Sequence, residues 1–161
     1  MNKKKRIIVL VLASLLLTIA VALAYLFTND TRDLMDLDSS AVDWKGKQKS
    51  ESKEFNDSIA IPGFSELVFI ANERTQQVNF FNPEINDCYF KLTLLTENGE
   101  TLWRSDLIEP GKGLYSIELL QNLPEGQHEN AVLKYECFTL DEDQSPLNGS
   151  EINLTIHATQ I

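Results

Sequence analysis

The sequence predicts an all-β fold, a single antiparallel sandwich of about seven to eight strands that follows one N-terminal transmembrane helix. Three observations lead to this prediction. A long apolar run follows a basic N-terminus, apolar and polar residues alternate from Ile59 onward, and turn-forming dipeptides separate the alternating segments. No stretch after Phe27 keeps a convincing helical period over three turns, so we expect strands throughout the C-terminal part.

The first element is a basic tail, residues 1–6, followed by an apolar segment, residues 7–27. At a rise of about 1.5 Å per residue this segment makes about 31 Å of helix, close to the thickness of a bilayer's hydrocarbon core. Four cations precede the segment and acidic residues follow it, which predicts an N-terminus inside the cell and a C-terminal region outside. We therefore predict a single-pass protein of the cell membrane with an extracellular C-terminal domain.

A cleaved signal peptide is the alternative for this segment. Residues 22–24 fit the small-x-small pattern of signal peptidase, and cleavage between Ala24 and Tyr25 would secrete the domain. The apolar run is longer than a usual signal core and continues past this site, which favours an uncleaved anchor.

Residues 28–57 are predicted to be a polar, acidic linker between the anchor and the domain. Residues 45–58 are almost wholly polar and have no apolar period. Just before them, apolar residues including Trp44 interrupt a run of Asp and Ser. This part could form a short membrane-proximal helix or a docking segment for another envelope protein.

The domain itself, residues 58–161, is predicted from its period of two. In residues 88–94 the side chains of Cys88, Phe90, Leu92 and Leu94 share one face, which is typical of a strand that borders a core. The predicted strands are residues 66–71, 76–81, 88–94, 100–105, 113–119, 131–140 and 151–158. The turns predicted between strands include Asn98-Gly99, Pro110-Gly111, Glu125-Gly126 and Asn148-Gly149.

The two cysteines refine the predicted fold. Cys88 and Cys137 both fall on inward positions, so we expect both thiols in one core. In an exported domain the oxidising environment could join them in a disulfide. Two buried reduced thiols are the alternative. Together with Trp103 and Tyr135, the cysteines resemble the Cys, Trp, Tyr-x-Cys arrangement of immunoglobulin domains. An immunoglobulin-like sandwich is therefore the predicted architecture.

Charge and motifs limit the classes of function. Residues 58–161 contain five cations and sixteen acids, a net charge of −11 that disfavours binding to nucleic acid. The chain has two histidines, and neither has the partners of a catalytic base. Metal-binding and nucleotide-binding motifs are also absent from the sequence. We therefore predict that the protein is not an enzyme and has no cofactor or metal site.

Residues 59–161 resemble a family of small membrane-anchored envelope proteins of Gram-positive bacteria, found among surface and mobile-element genes. The resemblance rests on the segments IPGF, VNFFNPEINDCYFKLTLLTENGETLWRSDLIEPGKGLYSIEL, LPEGQHENAVLKYECFTLD and SPLNGSEINLTI. It covers nearly all of the predicted domain, implies a cell-surface sandwich and supplies no catalytic residues.

The predicted function is that of a protein-interaction module at the bacterial surface, with an envelope protein as its partner. Sheet edges and two loops are the expected contact points. The loop residues are Glu109, Gly111, Lys112, Asp141, Asp143 and Asn148. The alternatives are an accessory or inhibitor of a secreted hydrolase, and a cleaved, secreted ligand-binding domain. The sequence leaves the oligomeric state open.

Overall fold

The computed structural model describes residues 2–3, 15–22, 34–46 and 58–160, and its contacts divide the chain into two compact units, Met1–Leu34 and Met35–Ile161. In the first unit, residues 15–22 are helical. The predicted membrane span, residues 7–27, lies mostly outside the described residues, as do the predicted cleavage residues Ala24 and Tyr25. Among the helical residues that are described, none belongs to a helix long and apolar enough to cross a membrane.

The second unit is built of strands, because its apolar side chains recur at every second residue. All seven predicted strands are present, and a short strand before residue 58 joins them. The strands are β1 (Val42–Asp43), β2 (Glu66–Ile70), β3 (Thr75–Phe81), β4 (Cys88–Leu95), β5 (Thr101–Arg104), β6 (Lys112–Glu118), β7 (Gly126–Thr139) and β8 (Pro146–Thr159). The all-β class with two sheets is therefore confirmed.

The strands form one sheet of three and one of five. The smaller sheet has the order β1-β6-β3, and the larger has the order β2-β8-β7-β4-β5. Every pairing is antiparallel except that of β2 with β8, where Glu66 is opposite Thr155 in a parallel register. The first strand of the larger sheet thus pairs with the last strand of the chain.

The core lies between the inward faces of the two sheets. The inner side chains of β4 that the sequence placed together are all buried. Alternate residues from Ala131 to Cys137 on β7 and from Leu154 to Ala158 on β8 are buried as well, and Ile152 is partly buried. Across the core, the ring of Phe80 on β3 approaches that of Trp103 on β5, with centroids 5.6 Å apart. Trp103 is buried, as expected of a core position. Buried apolar side chains from both sheets therefore stabilise the unit.

The cysteines are buried as predicted. Both thiols are free, so the predicted disulfide is not formed. Cys88 pairs with Thr139, and Cys137 pairs with Phe90 on the adjacent strand of the same sheet. The two thiols are therefore diagonal neighbours, and diagonal Cβ atoms are further apart than a disulfide prefers. The immunoglobulin disulfide, by contrast, joins the two sheets.

The two thiols nevertheless shift each other's pKa. The hydrogen bond with Cys88 and the burial of the site raise the pKa of Cys137, and the same hydrogen bond lowers the pKa of Cys88. A donated S–H explains both directions, because it stabilises the neutral form of the donor and the charged form of the acceptor.

One predicted turn lies elsewhere. Asn148-Gly149 belongs to β8, opposite an irregular register between Tyr135 and Cys137 on β7. The chain reverses earlier, near Gln144, which has a φ of 43°. Gly149 is needed for a different reason, since a Cβ at this position would overlap the carbonyl oxygen of Tyr135. The glycine therefore permits close backbone approach within the sheet.

Candidate interaction surface

The second unit begins with a segment that lies on the surface of the sheets and that we call the strap, residues 35–45. The sequence predicted these residues as part of the linker, but they are part of the compact unit and contain β1. None of the strap side chains is fully buried. The strap is therefore held by contacts along a surface and not by insertion into the core.

The first half of the strap is bound by backbone hydrogen bonds. The amide of Met35 donates to Oε1 of Gln144 at 2.7 Å, and Nε2 of Gln144 donates back to the Met35 carbonyl at 3.1 Å. Further along, the amide of Asp38 donates to the carbonyl of Leu107 at 2.8 Å, and the Leu107 amide donates to Asp36 at 3.0 Å. These bonds connect the strap to the β7–β8 turn and to the segment before β6.

The second half of the strap adds a strand to the edge of β6. Val42 pairs with Gly113 and Asp43 pairs with Lys112 in an antiparallel register, and the amide of Trp44 donates to Gly111 at 2.9 Å. Nζ of Lys112 donates to Oδ1 of Asp43 at 2.7 Å. This ion pair lowers the pKa of Asp43 and raises that of Lys112, because each charge stabilises the other.

The side chain of Trp44 rests in a site that we call the cradle, formed by Asn79, Phe81, Gly113 and Tyr115. The indole stacks on the ring of Phe81 with centroids 3.8 Å apart and planes 13° apart. Its Nε1 donates to Oδ1 of Asn79 at 2.9 Å. The hydroxyl of Tyr115 accepts a hydrogen bond from the amide that follows the indole, at 3.0 Å.

Glycine is required at position 113 because the indole crosses β6 there. A Cβ on Gly113 would lie 2.8 Å from Cδ1 of Trp44 and 2.9 Å from the carbonyl oxygen of Phe80. Real Cβ atoms do not approach backbone and ring atoms this closely. The cradle is therefore a recess in the sheet surface that admits an aromatic side chain.

The structure places the predicted contact loops against this strap. In the first loop, Gly111 and Lys112 contact the strap, and the carbonyl of Glu109 accepts a hydrogen bond from the amide of Lys112. In the second loop, Gln144 binds the start of the strap. The two loops thus lie at opposite ends of one bound segment of the same chain.

The remaining predicted loop residues lie in and beside the β7–β8 turn. The carboxylate of Asp141 accepts hydrogen bonds from Oγ1 of Thr139 at 2.6 Å and from the amide of Asp143 at 3.1 Å, which stabilises the turn. Asn148 is exposed within β8. In the described part of the chain, Asp141 and Asn148 form no hydrogen bond or ion pair with the strap.

The sequence marked the apolar residues around Trp44 as either a short membrane-proximal helix or a docking segment, and the helix is wrong because Val42–Asp43 form β1. The strand and the cradle were missed, since the shared parity of Val42 and Trp44 around Asp43 is too short a period to predict a strand. No sequence motif includes Asn79, Phe81 or Gly113. Their role follows from the pairing of β6 with β3 and β1, which brings together three separate parts of the chain.

Among the open clefts of the described residues, two larger ones are bordered by residues outside the strap. One, of about 410 Å³, is bordered by the carboxylates Glu97, Glu100 and Glu129. The other, of about 550 Å³, follows the irregular pairing of β7 with β8. Over the described residues, no three His, Cys, Asp or Glu side chains are grouped so that they could hold a metal ion.

Comparison with known proteins gives no relative. No family model, curated protein or solved structure matches the chain.

Proposed function

We propose that this chain is a single-pass envelope protein that displays an acidic β-sandwich as a protein-interaction module at the bacterial surface. The observation that carries the proposal is the edge of β6, which binds the strap through main-chain pairing and a side-chain recess. Addition of a strand to a sheet edge is a general mode of protein recognition, in which main-chain hydrogen bonds give affinity and pockets give specificity.

The topology supports an immunoglobulin-like assignment of the sandwich. In that fold the last two strands, F and G, share a sheet with strand C, while B and E share the other sheet. Here β7 and β8 share a sheet with β4, and β3 pairs with β6. On this assignment Cys88 occupies strand C and not strand B. The cysteine spacing therefore resembles the immunoglobulin pattern, although the first cysteine lies one strand later than it does in that pattern.

Display outside the cell is supported by the N-terminal sequence. A basic tail followed by the apolar residues 7–27 and then by acidic residues favours an outward C-terminal region. The charge of −11 over residues 58–161 keeps such a domain soluble and repels nucleic acid. A partner that docks on this domain is expected to be neutral or cationic, or to carry an acidic side chain that pairs with Lys112.

Protease accessibility in intact cells tests the topology. An epitope tag after Ile161 should be removed by externally added protease, and a cytoplasmic control protein should stay intact. Protection of the tag until the cells are lysed would contradict an outward domain.

Site-specific photo-crosslinking tests the interaction surface. A photoreactive amino acid at Val42, which is 49% exposed beside β6, should give a discrete protein adduct in intact cells. Ile85 is a matched control because it is 47% exposed and lies outside the strap and the cradle. Equal adducts at both positions, or none at Val42, would remove the support for this surface.

A further inference from the structure

We infer that the strap is an exchangeable strand and that the partner of the β6 edge is the strap of a second copy of this chain. The inference deepens the proposed function, on which it rests, by naming the partner of the same site. In the structure the cradle, as the acceptor, is filled by Trp44 of the same molecule. In a strand-exchanged dimer each cradle would be filled by Trp44 of the other molecule.

The acceptor is built without the strap. Its recess is formed by Asn79 and Phe81 on β3 and by Gly113 and Tyr115 on β6, and the two strands pair on both sides of an irregular register between Gln77 and Phe80. Phe80 and Leu114 between these positions are buried in the core, which fixes the backbone of both strands. Removal of the strap therefore leaves the recess and the open β6 edge in place.

The strap is held weakly compared with the strands of the core. Only two of its residues pair with β6, and none of its side chains is fully buried. Its ion pair is solvent-exposed, with 85% of the Asp43 side chain accessible. Segments with few buried contacts open locally at lower free energy than the core does.

The strap and the body, residues 58–160, are joined by a short stretch of the chain. Residues 47–57 are eleven mostly polar residues, which could span up to about 35–40 Å when extended. The contacts within the site are the same whichever molecule supplies the strap. The balance between the two forms then depends on the connection and on the local concentration of copies, which anchoring in one membrane would raise.

The recess is complementary to this strap sequence in particular. A bound strand needs an acidic residue that pairs with Lys112. The residue after it must be aromatic, so that its ring crosses Gly113 and stacks on Phe81. The dipeptide Asp43-Trp44 supplies that pair of side chains, and every copy of the chain carries it. A second copy is therefore the occupant for which the shape and charge of the site are already matched.

A charge exchange tests the inference with full-length chains in detergent. Asp43→Lys and Lys112→Asp each place like charges in their own site, whereas a mixture of the two variants matches charges at both exchanged sites. Differently tagged copies should co-purify from the mixture about fivefold more than from either variant alone. The N-terminal segments are identical in every mixture, so pairing through them cannot give this difference.

A peptide supplies the second readout. The fluorescent peptide of residues 34–46 should bind the full-length Trp44→Ala variant, and the same peptide with Trp44→Ala should bind at least about tenfold more weakly. Circular dichroism checks that every variant keeps its sheets.

Either of two results would overturn the inference. One is peptide binding that does not depend on Trp44. The other is no enrichment of mixed pairs up to about 100 μM, well above the concentrations of ordinary specific association. In that second case a crosslink from Val42 to a different protein would leave the proposed function standing and would exclude only the second copy as partner.

Discussion

The body, residues 58–160, and the strap, residues 35–45, are held by different interactions. Strands of the body bury apolar side chains between two sheets, and Phe90, Leu92 and Leu133 have no measurable exposure. The strap has no fully buried side chain and depends on hydrogen bonds along its length, one ion pair and one aromatic stack. Burial of apolar area is the larger stabilising term, so the two regions should unfold at very different free energies.

This difference shows how one chain combines a rigid acceptor with a removable strand. The acceptor side chains belong to strands whose neighbours are buried, while the strap contributes only surface contacts. Local opening of the strap should therefore leave the sheets intact. Four predictions test the separation, in order of decreasing effect.

The largest effect is expected from the core. Phe90→Ala removes a fully buried ring that packs edge-to-face on Tyr135 at 5.4 Å, and should lower the free energy of unfolding by about 3–5 kcal/mol. Urea denaturation measures this loss. Val68→Ala, at a position that is 65% exposed on β2, is the control and should change stability by less than about 0.5 kcal/mol. A loss below about 1 kcal/mol for Phe90→Ala would contradict this packing.

A buried polar network should have the next effect. Asn82 is fully buried, and its Nδ2 donates to the carbonyls of Cys88 at 2.8 Å and Ile108 at 2.9 Å. Asn82→Ala leaves these acceptors without that donor and should lower the free energy of unfolding by about 2–3 kcal/mol. Asn153→Ala, at an exposed position of β8, serves as the control in the same denaturation experiment. Equal effects of the two substitutions would refute the role of the network.

A smaller and local effect is expected from the strap. Trp44→Ala removes the stack on Phe81 and the bond to Asn79, so the amides of Asp38 and Trp44 should exchange hydrogen about tenfold faster. Global stability should fall by no more than about 1.5 kcal/mol. Trp44→Phe keeps a ring on Phe81, so its exchange rates should lie between those of the unmodified protein and Trp44→Ala. Loss of protection throughout β3 and β6 would show instead that strap and body unfold together.

The smallest effect should be the pH dependence of the ion pair. The pKa of Asp43 is lowered from its ordinary value of 3.8, so its contribution is present above pH 3.8 and is lost as pH falls through the lower folded value. The pKa of Lys112 is raised from 10.5, so its contribution is present below pH 10.5 and is lost as pH rises through the higher folded value.

Hydrogen exchange of the strap, corrected for the intrinsic effect of pH, measures this dependence. Protection should be greatest between the two limits, and Asp43→Asn should remove the acidic part of the change. High salt should have a similar weakening effect, because the pair is exposed to solvent. An unchanged acidic limb in Asp43→Asn would assign the titration to another group.

The sequence predicted the strands and their inner faces because these depend on local alternation. The parity of Cys88, Phe90, Leu92 and Leu94 placed four side chains in the core, and all four are buried. Glycines at 99, 111 and 126 mark turns where φ is positive, as expected from their dipeptides. The loops at 109–113 and 141–149 were predicted as contact points, and the strap contacts both, although a contact with another protein stays a prediction.

Tertiary structure alone decided which strands pair. The parallel register of β2 with β8, the position of both cysteines in one sheet and the docking of the strap on β6 join residues that are far apart in the chain. Each pairing depends on backbone edges left open by the rest of the fold, and a period of two contains no information about which edge a strand will meet. The alternation therefore determined what is buried, and the assembled sheets determined where the strap could bind.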